Sequence, residues 1–272
     1  MNNYYYFIPL INLGPPIGYK IIQEIPLLSI SKIISSDNAK FEIIRRIITE
    51  NKLILEKKEK LEYMKKKWIN TEPAFFSWEN NKFNNRYSFI ETQINMLEGE
   101  GLTTSSVPSF YVNYVNNNKK NFLSCSYEKY GNPRVIMQRK EFDMWIDGYP
   151  AININKKSNT TYSLYIINPY NSIFAANLEI SDYSIKKNVK VNPRSVKEIN
   201  FFDLIKKDKW TGQFYLYGKR RGILFLMCHD FVNKNNITTL EHSDPFRAEL
   251  TYKPTAQHIR NELHKRLKEK FL

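Results

Sequence analysis

Cysteine is almost missing from this chain: Cys125 and Cys228 are the only two in 272 residues. They stand far apart and form no Cys-x-x-Cys. A disulfide framework or a metal finger needs more than that, so the composition points to a reducing compartment, the cytoplasm. Glycine is scarce too, at 9 residues. No Gly-x-Gly-x-x-Gly and no Walker loop occurs, and Gly-x-Ser-x-Gly and His-Glu-x-x-His are missing as well. No run approaches the roughly 18 apolar residues of a membrane helix. The N-terminal MNNYYYFIPLINLGPPIGYK has no basic segment, and Pro9, Pro15 and Pro16 interrupt its apolar stretch, which makes it a poor signal peptide. Without a secretory route, the acceptor-like triplets starting at Asn159 and Asn236 carry no weight.

What the chain has in excess is lysine. Lys and Arg number 41 against 27 Asp and Glu, a formal charge of +14. That balance suits an anionic partner. The lysines are scattered as pairs and triplets, however, and the heavy use of Asn, Lys, Ile, Tyr and Phe is the residue set of A+T-rich codons. Nucleic-acid binding is therefore expected to be non-specific, with no recognition fold to direct it.

Hydrophobic residues make up 42%, enough for a sizeable core, and their period divides the chain. Residues 1–73 read as an extended, proline-punctuated arm followed by a long amphipathic helix. Ser36-Asp37 is its expected N-cap. Ile47/Ile48, Ile54/Leu55, Leu61 and Trp68/Ile69 recur at sevens, with Glu56–Lys60 and Glu62–Lys66 pairs on the wet face. This 36–70 helix packs on its own domain or serves self-association. After Pro73 the period falls to two. Residues 74–155 form a first β block, with strands near 87–97, 110–115, 122–127, 134–138 and 142–146. Residues 156–250 form a second, with seven short strands near 162–168, 174–181, 187–191, 196–201, 212–218, 222–230 and 236–242. In FAANLEIS, Phe174, Ala176, Leu178 and Ile180 alternate cleanly with polar or small neighbours. Residues 251–272 read as a short basic C-terminal helix. The expected fold is mainly β: an antiparallel immunoglobulin-like β-sandwich with the long N-terminal helix and the short C-terminal one.

One stretch has a relative in form. VNPRSVKEINFFDL (191–204), preceded by IINPY and followed by a strand ending in His229, resembles the small cytoplasmic β-sandwich proteins called sensory rhodopsin transducers. The resemblance spans residues 162–232 and rests on Val191, Arg194, Lys197, Phe201, Asp203 and Leu204. It implies a sandwich that binds a partner or small ligand and performs no chemistry. The N-terminal helix and the first β block lie outside it.

Two clusters invite a functional reading. MCHDFVNKNNITTLEHSDPFRAE (227–249) gathers His229, Glu241, His242, Asp244 and Arg247. In GILFLMCHD both alternating sets begin apolar, so this strand is central and Cys228 is a small buried hydrophobe. His229 and Asp230 face opposite sides and cannot share an ion. Antiparallel pairing would hold His229 and His242 roughly 25 Å apart over about seven residues. Ser243-Asp244 before Pro245 makes a turn, with Phe246 as anchor and Arg247 in an ion pair. The competing readings are a ligand-facing loop, or a metal or acid–base site offering only Glu241, His242 and Asp244. The second cluster, Tyr127 to Ile152, sets Tyr127, Tyr130, Trp145 and Tyr149 among Glu128, Asn132, Arg134 and Asp147. Rings beside carboxylates and amides are what sugar recognition uses, though core packing explains them as well, Trp145 most readily.

The expected function is thus non-catalytic binding of a polar, sugar-like molecule or a partner protein. No catalytic residue, metal or cofactor is expected. The alternatives are a metal-assisted hydrolase built on 228–247 and a non-specific anion binder. Scattered lysines bind phosphates by releasing counterions. Any affinity for heparin or DNA is therefore expected to collapse by orders of magnitude between about 50 and 200 mM salt, which filter binding would measure.

Overall fold

The computed structural model describes residues 3–9, 19–32, 34–79, 88–101, 110–116, 122–127, 145–180, 185–218, 222–230 and 237–243. Strand dominates them, and every strand pairing is antiparallel. The α-helices among these residues are α1 (Leu27–Ser31) and α2 (Phe201–Leu204), each little more than a turn.

The long N-terminal helix does not exist. The first half of the chain forms β1 (Asn3–Pro9), β2 (Tyr19–Glu24), β3 (Ala39–Thr49), β4 (Lys52–Met64), β5 (Lys67–Trp68), β6 (Phe75–Glu79), β7 (Ser88–Glu98), β8 (Phe110–Asn116) and β9 (Phe122–Tyr127). Residues expected to be helical make the β3–β4 hairpin and β5. Ile43, Ile44, Ile47 and Ile48 are β-branched and favour a strand. Glu50 and Asn51 then take φ of 45° and 66°, the type I′ geometry whose twist suits a two-residue hairpin. Lys65 and Lys66 repeat it at 49° and 64°, held by the Lys65 N–H on Asn38 Oδ1 (3.0 Å) and the Lys66 N–H on the Asp37 carbonyl (3.2 Å). Neither turn contains glycine, so neither announces itself. The apolar doublets at sevens arise because β3 is buried on both faces, while a bulge sets Leu55 opposite Ile47 and Leu53 opposite Ile48. Ser36 caps no helix and donates its Oγ to the Asn38 carbonyl (2.7 Å). Instead of Glu–Lys pairs along a helix, Arg46 reaches across the hairpin to Glu56 (2.6 Å), and Lys40 stands opposite Glu62. Self-association through a 36–70 helix falls with that helix.

These strands make two sheets, ordered β1-β7-β3-β4-β5 and β6-β2-β8-β9. The second half contributes β10 (Trp145–Asn155), β11 (Thr160–Asn168), β12 (Phe174–Ile180), β13 (Ile185–Val191), β14 (Ser195–Asn200), β15 (Lys209–Gly218), β16 (Ile223–Asp230) and β17 (Ile237–Ser243). They form two ladders, β14-β11-β16-β17 and β13-β12-β15-β10, joined where Asn155 meets Thr160. Leu164, Ile166, Leu224 and Leu226 from the first ladder share one buried cluster with Phe174, Leu178, Phe214 and Leu216 from the second. The opposite faces of β11 and β16 present Tyr165, Ile167, Ile223, Phe225 and Met227 to another cluster. There they meet Tyr6, Ile21, Phe41, Phe76 and Phe89 of the first two sheets. Burial on both sides explains why these two strands read as near-continuous apolar runs. The strand expected near 134–138 and the C-terminal helix from residue 251 lie outside the described residues.

Charged groups tie the halves together. Glu91 on β7, with its side chain only 4% exposed, accepts from Arg46 Nη1 (2.9 Å) and from Arg194 Nη1 (2.8 Å), Arg194 belonging to the β13–β14 turn. Arg194 also donates to the Pro169 carbonyl and lies over the Phe89 ring, at a backbone φ of 49°. Burial works against the Arg46 charge, but its bonds to Glu56 and Glu91 outweigh this and raise its pKa. Nearby, Arg45 is almost wholly enclosed. Its Nε donates to Gln23 Oε1, Nη1 to Glu59 and Nη2 to the Pro73 carbonyl, which pins β2 and the 72–74 turn to the hairpin. Breaking a buried pair strands a charge. Glu91→Ala is expected to cost about 3–5 kcal/mol in urea unfolding, whereas Lys40→Met, which removes the exposed pair with Glu98, is expected to leave the midpoint in place.

Candidate functional site

The described residues most like a chemical site come together on β11, β14 and β16. The register sets Thr161 opposite His229, and Tyr165 opposite Glu198. Ser163 and His229 sit at one end of the face that carries Tyr165, Ile167, Phe225 and Met227, where the apolar layer gives way to polar side chains. Ser163 Oγ donates to Glu198 Oε1 (2.8 Å) and contacts His229 Nε2 (2.9 Å), while His229 Nδ1 faces the Asp230 carbonyl (2.9 Å). Thr161 Oγ1 reaches Asn200 Oδ1 at 3.4 Å.

A serine, a histidine and a carboxylate within bonding distance invite comparison with a hydrolytic triad, and the wiring is wrong for one. In a triad the imidazole stands between hydroxyl and carboxylate so that it can take the serine proton. Here the hydroxyl stands in the middle. Its one proton goes to Glu198, so His229 Nε2–H must donate to Ser163 Oγ. Nδ1 faces the Asp230 carbonyl and not a carboxylate oxygen. Access is wrong too. Ser163 is 0% exposed and His229 1%, leaving no room for a substrate carbonyl. The group works as a polar tie across three strands, where an unsatisfied partner would be costly.

The sequence-derived candidates are dispersed. Tyr127 ends β9 opposite Phe110. Asp147 and Tyr149 lie on β10 opposite Leu216 and Phe214, just before a bulge. Glu128, Tyr130, Asn132 and Arg134 lie outside the described residues, as do Asp244 and Arg247. Glu241 is exposed on β17 opposite Leu226, and His242 pairs with Phe225. His242 is therefore four positions along from His229, about 14 Å by strand rise and not the 25 Å expected, because the register sets Ile237 opposite His229 with a bulge beside it. Among the described residues no three of His, Cys, Asp and Glu are placed to hold a metal. Ser163 and Glu198 went unnoticed in the sequence. The available signal was a serine inside the apolar run YSLYIIN, a polar group in a strand buried on both faces.

On the other face of β16, Cys228 is buried beside Tyr162. IINPY and VNPRS also meet. Asn168 Nδ2 reaches the carbonyls of Ser172, Val191 and Asn192, and the Arg194 N–H donates to the Tyr170 carbonyl. No protein-family model matches the chain, and comparison with curated proteins and with solved structures returned no match.

Burial, with Cys228 adding its charge and hydrogen bond, pushes the Tyr162 hydroxyl from 10.0 up to about 12. The folded chain therefore holds that proton more tightly than the unfolded one. The resulting stabilisation is present below pH 10 and is lost as pH rises through about 10 to 12. Tyr162→Phe keeps the ring and removes the titration. Urea unfolding at pH 8, 10 and 11 is expected to show a shallower alkaline decline for this variant.

Proposed function

We propose that the chain is a non-catalytic interaction protein: an immunoglobulin-like β-sandwich, strands β10 to β17, carrying a second β module and binding a partner protein. The observation that supports this reading best is the fate of its reactive groups. Ser163, His229 and Glu198 are used up in a buried tie, and Arg45, Arg46, Glu91 and Arg194 in joints between strands. What the molecule shows to solvent is different. The hairpin strand β4 is exposed along most of its length, with large apolar side chains at Leu53, Ile54 and Met64 beside exposed lysines. Strand edges of this kind recognise other chains through the backbone. The resemblance at 162–232 implies the same kind of role, a sandwich that binds and performs no chemistry.

Catalysis is the reading to defeat. Ser163→Ala removes the middle of the polar tie and is expected to lower stability by about 1–3 kcal/mol, while hydrolysis of p-nitrophenyl acetate stays at the background of the unchanged protein. An esterase rate lost in Ser163→Ala with an unchanged melting curve would overturn the proposal.

A further inference from the structure

Strand β4 pairs with β3 from Lys52 to Tyr63, broken only by the bulge at Ile54, but on its far side only Tyr63 and Met64 have a ladder partner among the described residues, the short β5. One more bond follows, from the Ile69 N–H to the Glu62 carbonyl (3.0 Å). Main-chain groups of alternate residues in a strand point to the same side. The outward carbonyl of Glu62 therefore sets the N–H and C=O groups of Lys60, Lys58 and Glu56 outward as well, and the register with β3 is unbroken over these residues.

The charge along this edge is one-sided, although the sequence EKKEK looks balanced. Glu59 is held by Arg45 Nη1 (2.9 Å) and shares its other oxygen with Lys57 (2.7 Å). Glu56 is held by Arg46 Nε (2.6 Å) and Lys58 (3.3 Å). The hydrogen bond from Arg46, with a second from Lys58, holds the Glu56 carboxyl below its ordinary range. Each glutamate thus meets two cations, and the acids turn inward to the arginines. Lys57 and Lys58 remain 51% and 58% exposed, Lys60 is exposed beside them, and Lys65 to Lys67 continue the series.

We infer that this edge is a docking site for an acidic extended segment of another protein, which adds as a strand beside residues 56–60. The inference rests on the interaction reading above and gives it an address. Three properties select the occupant. N–H and C=O groups in alternation, without a ladder partner among the described residues, are satisfied by another peptide backbone, whereas a phosphodiester has acceptors only. With Arg45 and Arg46 already on Glu59 and Glu56, the lysines beside them leave a surplus of positive charge, which selects carboxylates opposite them. A second copy of this chain would bring the same lysines face to face, because its own glutamates are already engaged. Leu53 and Ile54 at one end, and Met64 and Ile69 at the other, offer exposed apolar surface, so the fitting segment carries apolar residues at its ends.

The probe is a labelled, end-blocked peptide, Val-Glu-Thr-Glu-Thr-Glu-Val, titrated into the full chain by fluorescence anisotropy at low salt. Binding is expected, weakening about tenfold or more in each of three cases: when alternate backbone nitrogens are N-methylated, when lysines replace the glutamates, and when the protein carries Lys58→Glu with Lys60→Glu. Both lysines are exposed, so that variant should melt as the unchanged protein does. A Lys58→Thr and Lys60→Thr pair provides a second arm should it not. Equal binding of the N-methylated peptide would mean bulk attraction and overturn the strand. Tighter binding of a DNA oligonucleotide, or a dimer abolished by Lys58→Glu, would each assign the edge to another occupant. Failure of the peptide to bind, with no esterase activity present, sinks the edge site alone; a Ser163-dependent esterase sinks the reading beneath it.

Discussion

Glu91 is a carboxylate enclosed in protein, and a buried carboxylate is tolerated only when its charge is met and its oxygens are bonded. Arg46 meets one oxygen from the neighbouring strand β3, and Arg194 meets the other from the far half of the chain. The second contact makes demands on structure elsewhere. The Arg194 backbone must enter the left-handed region, which costs a non-glycine residue on the order of 1 kcal/mol or more. Asn168 and the Tyr170 carbonyl hold the turn in that shape. The Arg194 carbonyl in turn accepts the Asn51 N–H (3.1 Å) from the tip of the β3–β4 hairpin. One ion pair thus sets where two otherwise separate β arrangements meet, and a large apolar cluster fills in behind it.

The polar groups of the interior divide by residue type. Arginine appears where planar, multi-donor bonding is needed: Arg45 spends three nitrogens on three acceptors, and Arg46 three contacts on Glu56, Glu91 and Gln93. Lysine, a flexible point charge, stays at the rim. The overall positive balance therefore overstates the mobile charge in one respect and understates it in another. Some cations are locked inside, yet they draw carboxylates in with them and leave the outer lysines less neutralised than composition suggests.

Much of the second half was legible. The seven strands expected within residues 156–250 occur within a few residues of their limits, because alternation in FAANLEIS and the double-faced runs of β11 and β16 are direct signatures of pleated, layered packing, whereas β10 (Trp145–Asn155) extends well past the strand expected near 142–146 and pairs with β15 of the second block. The first half was misread where two periods coincide. Apolar doublets seven apart satisfy a helix, yet they satisfy equally a strand buried on both sides that turns back after Thr49. The deciding residues are Glu50-Asn51 and Lys65-Lys66, of which only Asn51 is a residue that type I′ turns favour. The Ser163–His229–Glu198 tie was hidden for another reason. It depends on which residues of three strands stand side by side, and register is set by packing over the whole sheet.

Strand β1 pairs with β7, Asn3 opposite Asn95 and Pro9 opposite Phe89. In synthesis order its partner arrives late. At about 5–20 residues per second, the roughly eighty residues between them take about 4–16 s to emerge. During that interval the tyrosine-rich stretch Tyr4-Tyr5-Tyr6-Phe7-Ile8 has strand propensity and no strand to join, while the β3–β4 hairpin, whose contacts are local, can close within microseconds. The first sheet is thus expected to close from its middle outward, with β1 added only after β7 has emerged, and in the interval this segment offers a bare strand to a chaperone or a neighbouring nascent chain.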